Sequence, residues 1–598
     1  MELPCRRPGD ELLPPGELLD IRRRLRALAP RHDLATVVAC AFDHRTRMLP
    51  FFYADLRMAP AGARAVGSAL VESGFPKTRI VLQQWNPRFR PTRMRLDGRL
   101  PDLFLISSMS LHADACKRLI RNVSRLEESH RPLVVVGGSL CVYEPWEAFF
   151  TRPVRPGEPA VSASADVAVT GEEYVLLQLL EVLLSGRNGG EPLRRTFLRA
   201  RDSGALAAIP GLIYPRTGMD GRILELVDTG VQRLLKDLDE LPSPTAGFGI
   251  LEPPGRHARL ASRPLPAGLV RRHSPIGALV MTFGCRFSCS YCPIPAYNQR
   301  QNRFKSGPRL AEEMHRLYSE YGIRYFFGTD DNFFNSRERA MEIVESIRAA
   351  EYGPLRLRRK VRWGTEVTVH DTLRMRGDLD AVRRAGVRAL WLGVEDMSGA
   401  LVRKGQGFNQ SDEAIRLLRD HGICPMPMMM HHDSQPLVSR GDNRGLLNQV
   451  RLLRQSGAAS LQVLMLTPSP GSRAYERTHD SGQVLRSAAR RPVEHRMRDG
   501  NYVIASAHTQ PWRKQWSILA AYLYFYNPLR FLAALASRSR LGFKPAFMQA
   551  LGMWGLWHTF RRTLGWALRL MWGPVRRSAP MPVSPFPLRA PAGGGASH

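Results

Sequence analysis

Three cysteines lie within one short stretch of this chain: Cys285, Cys289 and Cys292, in the spacing C-x3-C-x2-C. Neighbours this close do not pair easily with one another, and an odd number leaves one thiol over, so a disulfide set is not expected. The chain has only 8 cysteines in 598 residues, far below the density of a secreted disulfide scaffold. Thiolates clustered in a loop suit a soft metal ion or an iron–sulfur cluster.

The number of cysteines in this loop is informative. A structural zinc site is closed by four ligands, and no Cys-x2-Cys or His-x3-His pair follows at zinc-finger distance. Three thiolates on a four-iron cluster would leave one iron open to a small molecule that binds through an amine and a carboxylate. The alternative is a zinc or buried-thiol cluster. The other cysteines are predicted to be ordinary thiols: Cys5, Cys40, Cys116, Cys141 and Cys424.

The segment CRFSCSYC, residues 285–292, resembles the cluster motif of the radical S-adenosylmethionine (SAM) enzymes. An aromatic residue before the last cysteine, here Tyr291, is typical of that family. The resemblance implies a 4Fe-4S cluster on Cys285, Cys289 and Cys292, with SAM bound at the open iron beside Tyr291. It also implies an electron donor such as flavodoxin or ferredoxin.

The chain is strongly basic, with a formal net charge of +32 and a pI near 10.7. Nucleic acid, an anionic membrane or an acidic substrate could each balance such a charge. The positive residues are mostly arginines spread along the chain, a pattern that also arises from GC-rich coding. No zinc finger or RNP-type motif accompanies them, so we do not expect nucleic acid as a partner.

Targeting signals are not evident in the sequence. The first 30 residues lack an apolar core of signal-peptide length. The longest apolar stretch, Trp516–Tyr526, is shorter than a membrane span. We therefore expect a cytoplasmic protein, in a reducing compartment that also protects a cluster.

Residues 36–186 alternate short apolar strands with helices, which predicts a Rossmann-like parallel sheet covered on both faces. Three of the predicted strands are Leu103–Ile106, Leu133–Val136 and Ala165–Val169. Ligands of open α/β sheets lie at the carboxyl ends of the strands. Small or polar residues follow all three strands there: Ser107, Ser108, Gly137, Gly138, Ser139, Gly171 and Glu172.

In sequence order, this set resembles the cobalamin-binding domain that precedes the barrel in one large class of radical SAM enzymes. The resemblance implies that these seven residues contact cobalamin, whereas the alternative is that the glycines only make tight turns. The Asp-x-His-x-x-Gly motif that gives cobalt a histidine in the classical domain is absent from residues 36–255. We therefore expect cobalamin with no histidine on cobalt.

From Ile276 onward, six further strand–helix units predict a partial (β/α)6 barrel over residues 276–499. The segment Thr467–Gly471 resembles the end of the barrel in the same class. The rest of the chain is predicted to divide into an N-terminal extension (1–35), a linker (187–275) that wraps the barrel, a helical region (500–575) and a disordered tail (576–598).

Polar residues at the carboxyl ends of the barrel strands are candidates for binding SAM. By resemblance, Asp330 and Asp331 replace the family's Gly-Gly-Glu motif and meet the SAM ammonium. Glu395 matches the ribose-hydroxyl ligand, and Arg403 or Lys404 could meet the SAM carboxylate. The alternative for the latter residues is a plain surface salt bridge.

Two further features of the barrel remain ambiguous in the sequence. Asp331 or Asn332 could cap the helix that follows the second strand. The fifth strand ends in His431 and His432, which should point to opposite faces and so not share one metal. One of the two histidines is predicted to line the barrel.

The family resemblance implies a reaction class. One electron from the cluster cleaves SAM to methionine and a 5′-deoxyadenosyl radical, which removes hydrogen from an unactivated C–H bond. With cobalamin, the implied enzyme is a methyltransferase acting on unactivated carbon. The first alternative is radical cyclisation, C–C bond formation or rearrangement without methyl transfer. The second is a non-catalytic basic iron–sulfur protein that binds nucleic acid or membrane.

The helical region 500–575 combines tryptophans, apolar residues and arginines. One interpretation is a helical cap packed on the barrel mouth. The other is a peripheral contact with an anionic membrane, through which a lipid substrate would reach the barrel. The sequence does not distinguish a lipid from another small-molecule substrate.

Overall fold

The computed structural model describes residues 12–46, 56–150, 163–401, 404, 406–537, 541 and 544–591. The chain forms two compact units. The sheet unit comprises Arg6–His44, Ala59–His273 and Pro582–His598, and the barrel unit comprises Met1–Cys5, Arg45–Met58 and Ser274–Met581.

Five parallel strands form the centre of the sheet unit. Their side chains are almost all buried, as expected for a parallel sheet covered on both faces. The spatial order is 2-1-3-4-5, so the direction of winding reverses between the first and third strands, where doubly wound sheets bind ligands. The strands are β1 Thr36–Cys40, β2 Thr78–Leu82, β3 Leu103–Ser107, β4 Leu133–Gly137 and β5 Val167–Val169.

Two antiparallel strands extend this sheet, β6 Leu212–Thr217 and β7 Ile223–Asp228. The short strand Leu588–Arg589 then pairs with β7. Two predictions are therefore wrong. Residues 187–273 are not a separate linker but part of the sheet unit, because backbone hydrogen bonds join β6 to β5. The described part of the tail, 576–591, contains paired strands; residues 592–598 lie outside the described residues.

The helices of the sheet unit pack beside these strands. The amphipathic third helix turns its apolar residues inward, and only its polar face is exposed. The described helices longer than one or two turns are α1 Glu17–Leu28, α2 Ala61–Glu72, α3 Ala113–Val123, α4 Glu173–Ser185 and α5 Leu193–Asp202.

The barrel unit is built on six parallel strands in consecutive order, as the sequence predicts. They are β8 Ile276–Leu279, β9 Tyr325–Gly328, β10 Arg362–Thr368, β11 Val387–Glu395, β12 Cys424–His431 and β13 Gln462–Met465. The described helices of six or more residues between them are α6 Gly307–Tyr321, α7 Arg337–Ala349, α8 Val369–Arg374, α9 Leu379–Arg384, α10 Phe408–Asp420 and α11 Leu446–Ser456.

Three C-terminal helices complete the barrel unit: α12 Pro511–Phe525, α13 Pro528–Ala536 and α14 Lys544–Trp572. Helix α12 packs against β13 and α11, and α14 packs against α12. By length and composition, the stretch Pro511–Ala536 could cross a membrane, although its first half is largely packed on the barrel. The predicted α/β fold class, with a Rossmann-like sheet, a partial barrel and a helical C-terminal region, is confirmed.

Candidate active site

The cysteine loop leaves the carboxyl end of β8 through a short hairpin, in which Thr282–Phe283 pairs with Arg303–Phe304. Gly284 begins the loop with a φ of +91°, and a Cβ there would lie 2.1 Å from the carbonyl oxygen of Gln301. Only glycine fits this position. Glycine at this position therefore permits the turn from the hairpin into the loop.

The three cysteines of the loop are free and partly exposed. Burial raises the pKa of the Cys285 thiol, and burial followed by the charge of the other two thiols raises the pKa of Cys292 to about 12. The three thiols are close enough to affect one another's pKa, so they lie around one shared space. Cys40, Cys116, Cys141 and Cys424 lie elsewhere, and Cys5 lies outside the described residues.

The spacing of the three thiols distinguishes a single metal ion from a 4Fe-4S cluster. In the described part of the chain, no group of three or more His, Cys, Asp or Glu side chains could hold a single metal ion. A four-iron cluster meets each thiolate through a different iron, so it accepts thiols that are further apart. The three free thiols, with the Tyr291 side chain beside them, fit such a group better than a zinc ion.

Asp330 anchors the start of the cysteine loop. Its Oδ1 accepts hydrogen bonds from the backbone N–H groups of Met281 (3.0 Å) and Thr282 (2.7 Å), and its Oδ2 accepts one from the Thr365 hydroxyl. Burial raises the pKa of Asp330 to about 6, against the effect of these bonds. The structure thus gives Asp330 a supporting role, and its contact with SAM stays a prediction.

Asp331 lies closer to the cysteines. Its Oδ2 accepts hydrogen bonds from the backbone N–H of Gly284 (2.7 Å) and from Asn298 Nδ2 (3.2 Å). Burial raises its pKa to about 6, and the nearby Arg303 opposes the shift. Sequence reasoning missed Arg303, although it stands in the same hairpin as the loop.

The predicted alternative that Asp331 or Asn332 caps the next helix is wrong. Ser336 is the N-cap of α7, and its hydroxyl accepts a hydrogen bond from the backbone N–H of Arg339 (3.4 Å). Asn332 is buried and donates through Nδ2 to Asp371 Oδ2 (2.8 Å). Its position inside the unit leaves the capping role to the serine nearer the helix.

Glu395 ends β11 in a left-handed conformation, with φ +54°, which is uncommon for a residue with a side chain. A Cβ on Gly393 would lie 2.8 Å from Glu395 Oε1, so glycine makes room for this carboxylate. Lys404 Nζ lies 2.9 Å from the same oxygen, and both side chains are nearly buried. Strained residues of this kind cluster at functional sites.

Lys404 connects this ion pair to the cysteine loop. Its ammonium lies 5.6 Å from the centre of the Phe287 ring, and the charges of Glu395 and two loop cysteines raise its pKa despite burial. Of the two predicted candidates for the SAM carboxylate, Lys404 is therefore near the loop, and Arg403 lies outside the described residues.

The lumen of the barrel can be traced from alternate strand residues. Phe327 on β9 and Trp391 on β11 make an edge-to-face contact, with ring centres 4.8 Å apart. Met428 and Met430 on β12 alternate with fully buried neighbours and are partly exposed. The lumen is therefore lined mainly by apolar and aromatic side chains.

Glu366 on β10 interrupts this apolar lining, and sequence reasoning did not single it out. Burial and the nearby Asp331, Asp330 and Glu395 carboxylates raise its pKa to about 8. A neutral Glu366 can donate a hydrogen bond, and a cationic ligand would favour its charged form. Its position near the carboxyl end of β10 was the available signal.

A small cavity of about 120 Å³ adjoins the cysteine loop. Tyr291, Asp433 and Met465 line it, together with the segment after β13 that contains Thr467 and Pro468. The backbone N–H of Ala474 donates to the carbonyl of Ser290 (2.8 Å), so this segment is fastened to the loop.

The two histidines at the end of β12 do not form a metal site in the described structure. His431 is buried on the face opposite Met430, and its Nδ1 bonds to Gln435 Oε1 (2.8 Å). His432 lies beyond the strand, with Nε2 3.9 Å from Asp396 Oδ2. His431 therefore does not line the lumen, because neighbouring residues of a strand point to opposite faces and Met430 points into the lumen.

In the sheet unit, the seven predicted cobalamin residues share one edge. They lie at or just after the carboxyl ends of β3, β4 and β5. Gly138 has φ +92°, and a Cβ there would lie 2.6 Å from the Ser108 carbonyl oxygen. A Cβ on Gly171 would meet the Gln232 side chain at 2.5 Å. These two glycines therefore also serve close packing within the unit.

The middle of this edge is more open than its flanks. Gly138 is exposed, Gly137 and Ser139 are partly exposed, and Ser107 ends β3 beside them. Ser108 and Glu172 are buried, and the Ser108 hydroxyl donates to the Met109 carbonyl. The cobalamin contacts of all seven residues stay predictions.

Comparison with known proteins places this site in a family. The profile of the radical SAM superfamily matches residues 279–434, which hold the cysteine loop and four complete strands of the barrel, β9 to β12. Two curated relatives are anaerobic magnesium-protoporphyrin IX monomethyl ester cyclases. That of Synechocystis is 25% identical over 76% of this chain and 79% of its own length. That of Cereibacter sphaeroides is 29% identical, and the match spans only 25% of each protein.

Among solved structures, this chain is similar to the radical SAM methyltransferase TsrM from Kitasatospora setae, determined with cobalamin and a 4Fe-4S cluster bound. The identity is 15%, the TM-score is 0.55, and the match covers 88% of this chain and 99% of TsrM. At that identity the likeness shows the fold alone. Residues 279–434 therefore form a domain of the radical SAM superfamily, whose cofactors are a 4Fe-4S cluster and SAM.

Proposed function

We propose that the protein is a cobalamin-dependent radical SAM enzyme that methylates an unactivated carbon of a hydrophobic substrate. The observation that carries the proposal is the cysteine loop, which lies at the carboxyl end of the barrel beside a buried ion pair and an apolar lumen. The fold shared with TsrM supports the cobalamin requirement.

The chain's residues would divide the work as follows. Cys285, Cys289 and Cys292 would hold the cluster, and Lys404 and Glu395 would orient SAM at the neighbouring strand end. When bound, the cluster supplies the electron that cleaves SAM, and cobalamin supplies a carrier for the methyl group. The electron would come from a partner such as flavodoxin or ferredoxin.

The lumen residues would control the environment of the reaction. Phe327, Trp391, Met428 and Met430 would exclude water from the space in which hydrogen is removed. Glu366, whose pKa is raised to about 8, would hold a proton at its carboxyl until a cationic ligand enters. The apolar lining favours a substrate with a hydrocarbon surface.

Cobalamin would bind at the carboxyl edge of the sheet unit. The exposed Gly138, between the partly exposed Gly137 and Ser139, suits a large ligand that approaches the main chain closely. The buried His112 follows the same edge, but its Nδ1 accepts the backbone N–H of Asp43 (3.1 Å), and burial lowers its pKa to about 4. We therefore propose binding with no histidine on cobalt.

A second candidate function is a radical ring closure or other rearrangement without methyl transfer. Its support is the sequence similarity to two magnesium-protoporphyrin cyclases, one of which matches 76% of this chain. Both candidates require cleavage of SAM at the cysteine loop, so they differ in the fate of the methyl group.

The test uses full-length protein reconstituted anaerobically with iron, sulfide and cobalamin, together with SAM and a reductant. Radical chemistry predicts 5′-deoxyadenosine, and methyl transfer predicts S-adenosylhomocysteine as well. Replacing the three loop cysteines by alanine should abolish deoxyadenosine and the cluster's absorption, whereas the control Cys424→Ala should keep both. Deoxyadenosine with no S-adenosylhomocysteine would favour the second candidate, and deoxyadenosine from the triple variant would refute both.

We further propose that the C-terminal helices hold the enzyme on an anionic membrane, where a lipid substrate would be available. Helix α13 has no buried residue, and Leu529 on it is 79% exposed. The exposed apolar surface continues along α14 at Phe547, Trp554 and Trp557. A soluble domain rarely leaves so much large apolar surface in contact with water.

The positive charge of the C-terminal part of the chain, residues 500–598, favours anionic lipid over a neutral apolar partner. Residues 500–598 contain twelve Lys and Arg residues and no Asp or Glu. Tryptophan and arginine suit the membrane interface because each combines an apolar body with a polar tip. A basic surface near an anionic leaflet also gains electrostatic attraction that salt weakens.

Co-sedimentation with phosphatidylglycerol and phosphatidylcholine vesicles tests this contact. Leu532→Glu, on α13, should weaken binding to the anionic vesicles. Leu224→Glu makes the same change at a similarly exposed leucine in the sheet unit, and should leave binding unchanged. Equal binding by both variants, or no binding by the wild type, would refute the membrane contact and leave the helices as a cap of the barrel.

A further inference from the structure

The sheet unit contains a cavity of about 620 Å³ whose rim is strongly basic. It lies between the loop after β2, the middle of α3 and the segment around residue 257. Its volume is typical of small-molecule sites. Five exposed arginines line it: Arg88, Arg90, Arg93, Arg118 and Arg256.

These arginines lack acidic partners. No carboxylate lines the cavity, and within the described ranges none of the five guanidinium groups makes a hydrogen bond or ion pair. Elsewhere in the same unit arginines are commonly paired; Arg194, for example, bonds to Asp166 (2.8 Å). Five unpaired like charges around one concave surface repel one another, and a concave wall concentrates their field.

A neighbouring cavity of about 580 Å³ extends the same surface, since it shares Arg93 and Ala258 and adds Arg259. The single acidic residue in its lining, Glu252, is buried and bonded to Arg79 (2.7 Å). This carboxylate therefore does not neutralise the exposed arginines.

The walls of the first cavity are held in place by backbone and side-chain hydrogen bonds. The backbone N–H of Arg90 donates to the Ala258 carbonyl (3.1 Å), which joins the loop to the segment opposite. The backbone N–H and the hydroxyl of Thr92 both donate to Asn122 Oδ1 on α3 (3.0 and 3.1 Å). The arginines therefore project from a supported frame, which lowers the cost of ordering a ligand there.

The floor of the cavity differs from its rim. Phe89 and Leu119 are nearly buried in the core of the unit, and Pro87 and Pro91 add apolar surface. A ligand that fits both parts has several negative groups on an organic body with an apolar face. Arginine's planar fork matches the oxygens of phosphate in paired hydrogen bonds.

We propose that this cavity binds a small organic phosphate with two or more phosphate groups. It is distinct from the predicted cobalamin edge, because none of those seven residues lines it. The proposal is independent of the reaction at the cysteine loop, and its failure would leave the proposed function unaffected.

The test measures binding to the full-length protein by isothermal titration calorimetry. The probes are inorganic pyrophosphate, orthophosphate and citrate at equal ionic strength. Pyrophosphate should bind saturably and more tightly than the other two. Arg93→Gln and Arg118→Gln should each weaken pyrophosphate binding roughly tenfold or more, because each removes charge-assisted hydrogen bonds.

Arg222→Gln is the matched control, since it makes the same change at an exposed arginine in the β6–β7 turn of the same unit. It should leave pyrophosphate affinity unchanged. Absence of saturable binding, or an equal loss in the control, would overturn the proposal. Citrate binding as tightly as pyrophosphate would overturn the assignment to phosphate. Length-dependent binding of DNA or RNA that Arg93→Gln abolishes would assign the cavity to nucleic acid instead.

Discussion

Tyr522→Phe tests how helix α12 closes the barrel sheet at β13. The Tyr522 hydroxyl accepts the backbone N–H of Val463 (2.8 Å) and donates to the carbonyl of the same residue (2.7 Å). Tyr526, one turn later, makes the same pair of bonds with Leu461 (2.6 and 2.8 Å). Two buried phenols thus satisfy backbone groups that another strand would otherwise bind.

The magnitude follows from the number of groups left without a partner. Phenylalanine keeps the ring and its packing, but it leaves one buried N–H and one buried C=O at Val463 unsatisfied. Each such group costs about 1–3 kcal/mol, and we expect Tyr522→Phe to lower the free energy of unfolding by about 2–4 kcal/mol. For a unit of this size, the melting temperature should fall by about 4–10 °C.

Tyr524→Phe is the control on the same helix. The Tyr524 hydroxyl accepts a hydrogen bond from Arg454 Nη2 (2.7 Å) at a partly buried site and bonds no backbone group of β13. Its loss should cost about 1 kcal/mol or less. Differential scanning fluorimetry gives the stabilities, and hydrogen exchange by mass spectrometry reports opening at residues 461–465.

Hydrogen exchange should increase at β13 in Tyr522→Phe and remain unchanged there in Tyr524→Phe. Equal melting temperatures and equal exchange in the two variants would show that the phenol hydroxyl does not close the edge strand. The stabilising role of α12 would then come from apolar packing alone.

Three further predictions concern the two candidate binding sites. Lys404→Met should reduce SAM affinity by roughly tenfold or more, because it leaves the nearly buried Glu395 carboxylate without its cation. Equilibrium dialysis measures the SAM affinity, and Lys404→Arg should retain part of it. Gly138→Ala should destabilise the sheet unit by about 1–3 kcal/mol, since the new residue would have to keep a φ of +92° and its Cβ would press against the Ser108 backbone. An unchanged melting temperature would contradict this contact. The pKa of Glu366 is about 8 in the folded protein, against 4.5 in the unfolded chain. Between these two values the folded state keeps a proton that the unfolded state has lost. The free energy of unfolding should therefore fall as pH rises from about 4.5 to 8. Glu366→Gln should flatten that part of the stability–pH curve, and an identical curve for both proteins would contradict the shift.

Local features of the chain were predictable from the sequence. The cysteine loop is contiguous, so its composition and spacing are visible without any tertiary contact. The alternation of apolar runs with helical segments predicted both parallel sheets, because burial on both faces requires continuous apolar strands. The fold class followed from these two kinds of pattern.

Features that depend on contacts distant in sequence were decided by the tertiary structure. The expected linker belongs to the sheet unit because β6 pairs with β5, a contact that the Gly- and Pro-rich composition does not indicate. The capping role went to Ser336 because Asn332 is buried against Asp371. The tail pairs with β7 although its sequence is of low complexity.

The same distinction holds at the candidate active site. The sequence pointed to carboxylates at strand ends, since barrel sites are built there. Only the structure separates Asp330, whose oxygens support the loop, from Glu395, which pairs with Lys404 in a strained conformation. The reason is physical: hydrogen bonds and ion pairs between strand ends depend on how distant segments meet, and residue type alone does not encode those distances.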